Sequence, residues 1–280
     1  MDSILFDIQR NQSNQILWKD GQKEEIVRLY TEEKMSINQL HSTYGIHYNT
    51  VKKILKEYNI SMRTRSESHT KDNRLSSIFS KIDSEEKAYW LGFLAADGCI
   101  SGNYIVITLQ GKDIEHLEKF RKFLNVTDTK IQKYKRDNRE YCRFSIANKQ
   151  MANDLKQLGI VENKSLILMP PNIPPEFEMD WIRGFFDGDG GLSYSKNSNR
   201  WQSYANSTKE VLQWVCDKLN LNIKPFNQQH YGKLDNVWRI HFNGRRNVYS
   251  AWNKIYKDNS ATIYLERKYN LYQKLRDSFK

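Results

Sequence analysis

The sequence predicts an α+β protein in which a small helical domain precedes two copies of one mixed unit of helices and strands. A short motif is written twice, as WLGFLAADG at 90–98 and as IRGFFDGDG at 182–190. Each copy is followed by the same order of predicted elements, and a repeat of this length indicates a duplicated domain rather than a solenoid. Residues 20–60 show helical spacing of apolar residues without strand-like alternation.

The positive charge of the chain is large and is spread along its length. The 280 residues include 44 Lys and Arg against 33 Asp and Glu, a formal net charge of +11. The excess is +3 before Asp83 and +8 from there onward, so it is not one basic tail. A distributed positive field favours a nucleic-acid partner, with an ordinary basic soluble protein as the alternative.

The three cysteines, Cys99, Cys142 and Cys216, are isolated in the sequence. They predict neither a zinc site nor a disulfide framework, which fits a reducing compartment. The first residues include acids and lack the apolar core of a signal peptide, and no apolar run has the length of a membrane span. We expect a soluble intracellular protein with no membrane partner.

Residues 1–60 are predicted to form a helix-turn-helix domain that binds DNA. Ile26, Leu29 and Tyr30 keep helical spacing, Ser36 is suited to cap a second helix, and Gly45 supplies a turn before a third. An ordinary three-helix unit with a solvated basic face is the alternative. The third helix is expected to expose side chains that suit base edges and phosphates: Tyr48, Asn49, Thr50, Lys52, Lys53 and Lys56.

Two polar segments flank these predicted helices. Residues 1–18 show no clear pattern and are expected to form a short arm. Residues 61–82 are predicted as a basic linker, because 61–77 is polar and poor in apolar residues. Within this linker, Arg63 and Arg65 either enter a DNA minor groove or are simply solvated.

The two copies of the repeat are predicted over 83–170 and 171–280, with a proline-rich segment between them. Alternating apolar residues predict strands, and 3.6-residue spacing predicts helices. After the first motif helix, the order is strand, helix, strand, strand and helix, at 103–110, 113–124, 130–136, 140–148 and 149–160. After the second, the same order falls at 201–207, 208–221, 222–231, 236–244 and 245–256.

Each motif helix carries small residues four positions apart, Gly92 and Ala96 in the first copy and Gly184 and Gly188 in the second. This spacing leaves a flat strip, and two such strips let helices pack closer than the usual separation of about 8–10 Å. Glycine inside a helix costs roughly 1 kcal/mol relative to alanine, so a close contact is expected to offset it. Two packed copies imply a pseudo-twofold axis between the units.

Each motif ends in an acid followed by glycine, Asp97-Gly98 and Asp189-Gly190. The glycines suit left-handed C-caps, but an acid at the negative end of a helix dipole is unfavourable. The pseudo-twofold axis also brings the two carboxylates together, which raises the pKa of one of them. A divalent cation removes both problems, and hard oxygen ligands suit Mg²⁺ and a phosphodiester. Asp97 and Asp189 are therefore the predicted metal ligands and catalytic residues.

The two motifs resemble LAGLIDADG, and residues 83–280 are similar to the single-chain, two-motif homing endonucleases of that family. The resemblance implies a monomer with two αββαββα units and saddle-shaped antiparallel sheets. It implies that Asp97 and Asp189 share two or three Mg²⁺ ions, for which Mn²⁺ or Ca²⁺ can substitute in binding. The implied activity is site-specific hydrolysis of both strands of a long, asymmetric duplex DNA site. The earlier motif acid is present as Asp187 but replaced by Ala95, which leaves the interface asymmetric.

The resemblance also implies that both sheets contact the major groove of DNA and that basic or polar side chains surround the catalytic acids. Lys164 and Lys268 are expected to polarise water or stabilise charge, with a structural role as the alternative; Arg267 and Gln110 are weaker candidates. Polar strand residues are the expected DNA contacts, with solvated strand faces as the alternative: Lys133, Lys135, Arg143, Asn197, Asn199, Arg200, Gln202, Asn206, Gln228, Gln229, His230, Arg239 and His241.

Other classes of metal site and nuclease fit the sequence less well. An EF-hand requires Gly where Leu192 stands and Glu where Ser198 stands. The six histidines do not cluster as a His-Asn-His nuclease requires, and the splice-junction residues of an intein are not expected. The main alternative is a non-cleaving protein on the same scaffold, either an RNA maturase that assists intron splicing or a DNA-binding regulator.

Overall fold

The chain divides into two units, Met1–Asn73 and Arg74–Lys280, each with an apolar core of its own. The computed structural model describes residues 5, 8–13, 15–33, 35–63, 75, 77–126, 128–230 and 233–279, apart from the side chains of 228–230 and 233–236. Over this described part of the chain, no helix combines the length and apolar character needed to cross a membrane.

In its described residues, the N-terminal unit packs three short helices with a two-stranded hairpin. Ser36 caps the second helix and Gly45 ends it, as the sequence predicts. Ser36 forms a capping box with Gln39, and Gly45 lies in the left-handed region at φ 67°. Its elements are β1 Gln9–Arg10, β2 Ile16–Leu17, α1 Gln22–Thr31, α2 Ile37–Tyr44 and α3 Tyr48–Glu57.

Two boundaries differ from the sequence-based expectation. The expected arm at 1–18 contains the hairpin, and Leu5 is buried in the N-terminal core. The predicted linker at 61–82 is partly core, because Leu75, Phe79 and Ile82 keep helical spacing and are buried in the second unit. Residues 64–74 and 76, including Arg65, lie outside the described residues.

The second unit contains two successive runs of helix, two strands, helix, two strands and helix, which confirms the predicted α+β class and the order of elements. The first run is α4 Glu85–Asp97, β3 Gly98–Ser101, β4 Tyr104–Gln110, α5 Ile114–Phe123, β5 Gln132–Arg136, β6 Arg139–Ala147 and α6 Lys149–Gln157. The second is α7 Glu178–Gly188, β7 Gly191–Ser195, β8 Arg200–Ser207, α8 Lys209–Leu219, β9 Phe226–His230, β10 Lys233–Asn243 and α9 Arg245–Ile255, followed by α10 Glu266–Asp277.

Each run forms one four-stranded antiparallel sheet, with strand orders β3-β4-β6-β5 and β7-β8-β10-β9. Side chains alternate between a buried and an open face, as pleated strands require. On β6, Cys142 and Phe144 are buried while Arg143 is exposed, and on β8, Trp201 is buried while Arg200 is exposed. The first strand of each sheet begins beside its motif acid, so each open face starts next to Asp97 or Asp189.

Candidate active site and nucleic-acid interface

The motif helices α4 and α7 pack with backbone against backbone. A Cβ added to Gly92 would lie 2.0 Å from a carbonyl oxygen of α7, and one added to Gly184 would lie 1.9 Å from the Tyr89 carbonyl oxygen of α4. A Cβ on Gly188 would lie 2.3 Å from the Cβ of Ala96. Carbon atoms in ordinary contact are about 3.5–4.0 Å apart, so these small residues set the distance between the helices.

The close packing brings the two motif acids to the same end of the helix pair. Asp97 is the last residue of α4, and Asp189 is the C-cap of α7. A Cβ on Gly188, next to Asp189, would lie 3.3 Å from a carboxylate oxygen of Asp97. Asp97 is half-buried, whereas Asp189 keeps a surface open to solvent.

The surroundings make both carboxyl groups harder to ionise than usual. Burial by the surrounding protein raises the pKa of Asp97 and of Asp189, and the negative charge of Asp97 adds to the effect at Asp189, whose pKa is raised to about 6. Nearby lysine charges oppose this shift at both acids. A pair of close carboxylates with an open side attracts a divalent cation, because a cation relieves both the repulsion and the loss of hydration.

Gly98 and Gly190 follow the acids but do not form left-handed caps, so the sequence-based expectation for them is wrong. Gly98 is extended, at φ −77° and ψ 150°, and Gly190 is not among the positive-φ glycines of the described chain. A Cβ on Gly98 would lie 2.6 Å from the Leu94 carbonyl oxygen, and one on Gly190 would lie 2.7 Å from that of Phe186. Glycine is needed there because the chain folds back against the last helical turn to enter a strand.

Two buried lysines bind the carbonyl ends of the motif helices. The Lys268 ammonium lies within hydrogen-bond distance, at 2.5–3.0 Å, of four backbone carbonyl oxygens at and just after the end of α7. The Lys164 ammonium donates to the carbonyl oxygens of Ala96 at 3.3 Å and Gly98 at 2.5 Å, at the end of α4. Each ammonium places a positive charge at the negative end of a helix dipole, next to a motif acid.

These contacts restrict what the two lysines do. An ammonium has three hydrogens, and Lys268 is surrounded by four acceptors, so its donors are directed to backbone. Burial lowers the pKa of both lysines, that of Lys268 to about 8. The structure thus brings Asp97, Asp189, Lys164 and Lys268 together, with the lysines acting on the acids through charge and through the helix ends.

Asp187, the earlier acid of the second motif, has a role that its counterpart Ala95 lacks. It is buried, and it accepts hydrogen bonds from the Tyr89 hydroxyl at 2.8 Å, the Tyr256 hydroxyl at 3.0 Å and the Leu265 amide at 2.8 Å. Burial raises the pKa of its carboxyl. Asp187 therefore ties α7 to α4 and to the start of α10, which carries Lys268.

The donor set of the centre fits a hard divalent cation. Among the residues that the structure describes, no three His, Cys, Asp or Glu side chains gather to hold a metal, so the protein ligands would be the two carboxylates of Asp97 and Asp189. Mg²⁺ is commonly bound by one or two carboxylates and completes its shell with water and phosphate oxygens. Two close carboxylates beside an open surface match that preference.

The open face of the first sheet includes Arg143 but not Lys133 and Lys135. Residues directly opposite each other in a sheet project to the same face, and Arg143 is opposite Gln132. Lys133 is opposite the buried Cys142, so Lys133 and Lys135 project to the other face. The expectation that these two lysines share a DNA-facing surface with Arg143 is corrected by this register. The sequence of β5 could not reveal which side chains share the open face, because every residue of that strand is exposed and no buried residue marks the inner face.

Other side chains take the place of the two lysines on this open face. Tyr134 stacks on Tyr141, with ring centroids 5.6 Å apart, and Arg136 is opposite Arg139. Gln110 is opposite Tyr141 and shares the face. Stacking rings and neighbouring arginines suit a nucleic-acid surface. The sequence analysis names Gln110 as a candidate, but neither the two tyrosines nor the two arginines.

The open face of the second sheet gathers most of the predicted contacts of that half. Arg239 is opposite Asn206, and His241 is opposite Tyr204. Together with the exposed Phe226 these residues line a cavity of about 360 Å³. The side chains of Gln228, Gln229 and His230 lie outside the described residues. The predicted contacts on this face are Arg200, Gln202, Asn206, Arg239 and His241, while Asn197 and Asn199 lie in the turn between β7 and β8.

Comparison of the sequence with known proteins gives one curated relative of low identity. No protein-family model matches the chain. A curated protein of Methanocaldococcus jannaschii, described as uncharacterized protein MJ0314, is 27% identical over 182 residues, 60% of this chain. The match spans 65% of the length of that relative, less than two thirds.

Comparison of the fold with solved structures gives matches among LAGLIDADG proteins. The meganuclease I-SmaMI bound to uncleaveable DNA matches with a TM-score of 0.47 and 12% identity, over 69% of this chain and 90% of that chain. The meganuclease I-CpaMI bound to uncleaved DNA matches at 0.45 and 15%, over 70% and 91%. The N-terminal LAGLIDADG domain of WhiA matches at 0.41 and 16%, over 75% and 98%.

These likenesses are too distant to assign a reaction. Both motifs form helices that end in an acid, with glycine at the helix contact. The sequence WLGFLAADG forms the second half of α4 and the first residue of β3, and IRGFFDGDG forms the end of α7, its C-cap Asp189 and the following Gly190.

The N-terminal unit, which precedes the two repeated runs of helices and strands, exposes one side of α3. Tyr48, Asn49, Lys52 and Lys53 are exposed and Thr50 is half-buried. The core side of the helix is formed by Val51, Ile54 and Leu55. Lys56 is also exposed, and a cavity of about 410 Å³ lies against Lys52, Lys53 and Lys56. The predicted contact residues of this helix therefore share one surface.

Arg63 does not have the freedom of a groove-binding arm. Its guanidinium lies 4.1 Å from the centre of the Tyr30 ring and donates to the Met35 carbonyl oxygen, and its backbone amide donates to the Tyr30 hydroxyl at 2.8 Å. These contacts fix the chain after α3 against α1. The minor-groove alternative for Arg63 is therefore replaced by a packing role.

Proposed function

We propose that the protein is a Mg²⁺-dependent endonuclease that cuts both strands of a specific, asymmetric duplex DNA site. The observation that carries this proposal is the pair of acids, Asp97 and Asp189, which two closely packed helices hold together beside a solvent-open surface. Two polar and basic sheet faces begin at these acids, which gives the centre a surface for DNA on either side.

Each element of the centre has a role in the proposed reaction. Asp97 and Asp189 would hold the divalent ions, and a bound ion would supply an activated water and offset charge on the phosphate. Each cut adds one water across a P–O bond, which leaves a phosphate monoester on one side and a hydroxyl on the other. Lys164 and Lys268 hold the helix ends that carry the acids.

DNA recognition falls to the open faces and to the N-terminal unit. On the second sheet, Arg239 and Asn206 offer the bidentate donors and acceptors that distinguish guanine and adenine in the major groove. Helix α3 adds Lys52, Lys53 and Lys56 as a further contact with phosphates. A helix-turn-helix contact on the same duplex would raise affinity through effective concentration without changing the cutting centre.

The test starts from duplexes selected by the full-length chain from a random library in Ca²⁺, which are then incubated with Mg²⁺. The wild-type chain is expected to cut them. Both Asp97→Asn and Asp189→Asn are expected to lose cutting while binding within about tenfold of wild type, since neither acid is expected to contact a base. Asp217→Asn, on the exposed side of α8, is the matched control and should cut normally.

Three outcomes would contradict the proposal. Full cutting by either acid variant would remove these residues from the centre. Tight, selective binding by the wild type without any cutting would favour the non-cleaving regulator. Preference for intron RNA over duplex DNA would favour the maturase.

A further inference from the structure

Gly191, the first residue of β7, makes room for an aromatic ring of the neighbouring strand. It is directly opposite Tyr204, so the two positions share the open face of the second sheet. A Cβ added to Gly191 would lie 2.2 Å from a ring carbon of Tyr204 and 2.7 Å from its hydroxyl oxygen. Gly191 is not among the positive-φ glycines of the described chain, so the close approach of this ring is what requires a glycine there.

The ring extends from β8 over β7 and brings a hydroxyl close to one motif acid. Gly191 follows Asp189 by two residues. Consecutive Cα atoms are about 3.8 Å apart, so the Cα atoms of Gly191 and Asp189 lie within about 8 Å of each other. Because β7 is the edge strand, no further strand of this sheet covers the hydroxyl of Tyr204.

The Tyr204 hydroxyl is available to a ligand. Tyr204 is 44% exposed, and within the described part of the chain its hydroxyl has no protein hydrogen-bond partner. Polar groups of the same face surround it, since Asn206, Arg239 and His241 line the same cavity of about 360 Å³. A phenolic hydroxyl donates readily to a phosphate oxygen, and tyrosine is among the side chains that bind the DNA backbone.

The first sheet has no equivalent of this arrangement. Cys99 follows Asp97 by two residues, as Gly191 follows Asp189, and it is directly opposite Val106. Val106 has no hydrogen-bonding group in its side chain, so a hydroxyl is present beside one motif acid and not beside the other.

A ring that covers a glycine on the neighbouring strand also stabilises a sheet. Phenylalanine would give the same cover to Gly191, so packing accounts for the ring and not for the hydroxyl. The two roles can therefore be separated by removing the hydroxyl alone.

We propose that the Tyr204 hydroxyl donates a hydrogen bond to a DNA backbone phosphate beside Asp189, in one half of the site only. The inference rests on the proposed function, which places duplex DNA on this open face with its backbone at the acids. It adds Tyr204 as a residue that sets the position of the duplex over the centre. The contact of the ring with Gly191 holds the hydroxyl in place.

The first test is binding in Ca²⁺ to a selected duplex. Tyr204→Phe keeps the ring over Gly191, so the melting temperature should not change. Affinity should fall by about 2- to 10-fold, the range for one neutral hydrogen bond. The slope of log affinity against log salt should stay the same, because a neutral hydroxyl displaces no counterion. Tyr194→Phe is the matched control, since Tyr194 is opposite the buried Trp201 and projects to the other face of β7.

Duplexes that carry a single methylphosphonate identify the phosphate. This modification removes one oxygen and the charge of one phosphate without changing a base. At one phosphate near the middle of the site, the losses from the methylphosphonate and from Tyr204→Phe should not add, because both changes act on the same hydrogen bond.

A second variant tests the position of the ring. The added methyl group of Gly191→Ala would overlap the Tyr204 ring, which has to move aside and take the hydroxyl with it. The loss of affinity from Tyr204→Phe should therefore be smaller in the Gly191→Ala background than in the wild type.

Wild-type affinity of Tyr204→Phe, or additive losses at every phosphate, would overturn the inference. A loss confined to the identity of one base pair would overturn it in favour of a base contact, and a lower melting temperature of Tyr204→Phe would assign the hydroxyl to the fold. A wild-type chain that binds the duplex without cutting it would refute the endonuclease function alone, because the contact is measured by binding. Failure of the wild type to bind duplex DNA would refute both.

Discussion

Replacing Gly184 with alanine should force the two motif helices apart, because the added methyl group has no space. Its Cβ would lie 1.9 Å from the Tyr89 carbonyl oxygen and 2.8 Å from the Phe93 amide nitrogen. Non-bonded atoms reach favourable contact at about 3.5 Å, so the two backbones must separate by roughly 1.6 Å at this point. The obstacle is backbone, which cannot turn aside as a side chain can.

The size of the effect follows from two opposing contributions. Overpacking of a well-packed site costs about 1–3 kcal/mol, and an overlap with backbone belongs at the upper end of that range. Alanine recovers about 1 kcal/mol through its higher helix propensity. The expected net loss is about 2 kcal/mol, which corresponds to a fall of about 4–8 °C in melting temperature for a unit of this size.

Gly188 provides a matched control at the same interface. A Cβ there would meet the Cβ of Ala96 at 2.3 Å, so the obstacle is a side chain that can be removed. Gly188→Ala alone should lower the melting temperature, and the double change with Ala96→Gly should recover most of the loss, because the methyl group moves from one helix to the other. Calorimetry of the wild type and these three variants checks this. An unchanged melting temperature for Gly184→Ala, or no recovery in the double variant, would refute the role assigned to these residues.

Other expected outcomes concern buried charges and the domain boundary. Burial lowers the pKa of His116 from 6.5 to about 3, so the unfolded chain binds the extra proton between these values. The free energy of unfolding is therefore unaffected by this proton above pH 6.5, and below pH 6.5 it falls by up to about 1.4 kcal/mol per pH unit. Thermal unfolding of His116→Gln should show a smaller fall in melting temperature at acid pH than the wild type. Lys268→Met should lower the melting temperature more than Lys164→Met, because it leaves four carbonyl oxygens without an ammonium instead of two, and equal losses would contradict this. A chain that begins at Arg74 should still cut DNA with lower affinity, and titration of binding should show a salt slope shallower by about 0.9 for each phosphate that the missing unit bound. A chain that begins at Asp83 should unfold at lower temperature than one that begins at Arg74, because it also lacks the buried Leu75, Phe79 and Ile82.

The architecture of the second unit was predictable because the motif and the order of the elements that follow it are repeated in the sequence. Each motif alone is short, but two copies with the same spacing and the same following elements check each other. The positions of Gly92 and Gly184 in the two copies also predict which faces of the helices meet. The glycine costs helix stability, so its presence twice at one position indicates a contact that compensates for it.

Features that depend on long-range geometry were not predictable in the same way. The exposed strand β5 has no buried residue to mark its inner face, so the register that separates Arg143 from Lys133 had no local signal. Leu75 and Phe79 lie at the edge of a polar stretch, where a few apolar residues do not reveal whether they reach a core. The extended conformation of Gly98 reflects the path into β3, which a rule for helix ends does not include.

The acid at the end of each motif helix is unfavourable by helix rules, and the structure shows what offsets it. A buried ammonium binds the last carbonyl groups of each motif helix, that of Lys268 at the end of α7 and that of Lys164 at the end of α4. Its positive charge reduces the repulsion between those carbonyl groups and the motif acid. The lysine charges only partly compensate for burial and for the repulsion between the two acids. The pKa of Asp189 is still raised to about 6, so its ionised form is disfavoured in the folded chain. A raised folded pKa means that this group favours the folded state less as the pH rises toward neutrality. The chain therefore retains a carboxylate pair that opposes its own stability, and a bound divalent cation is the partner that would convert this repulsion into attraction.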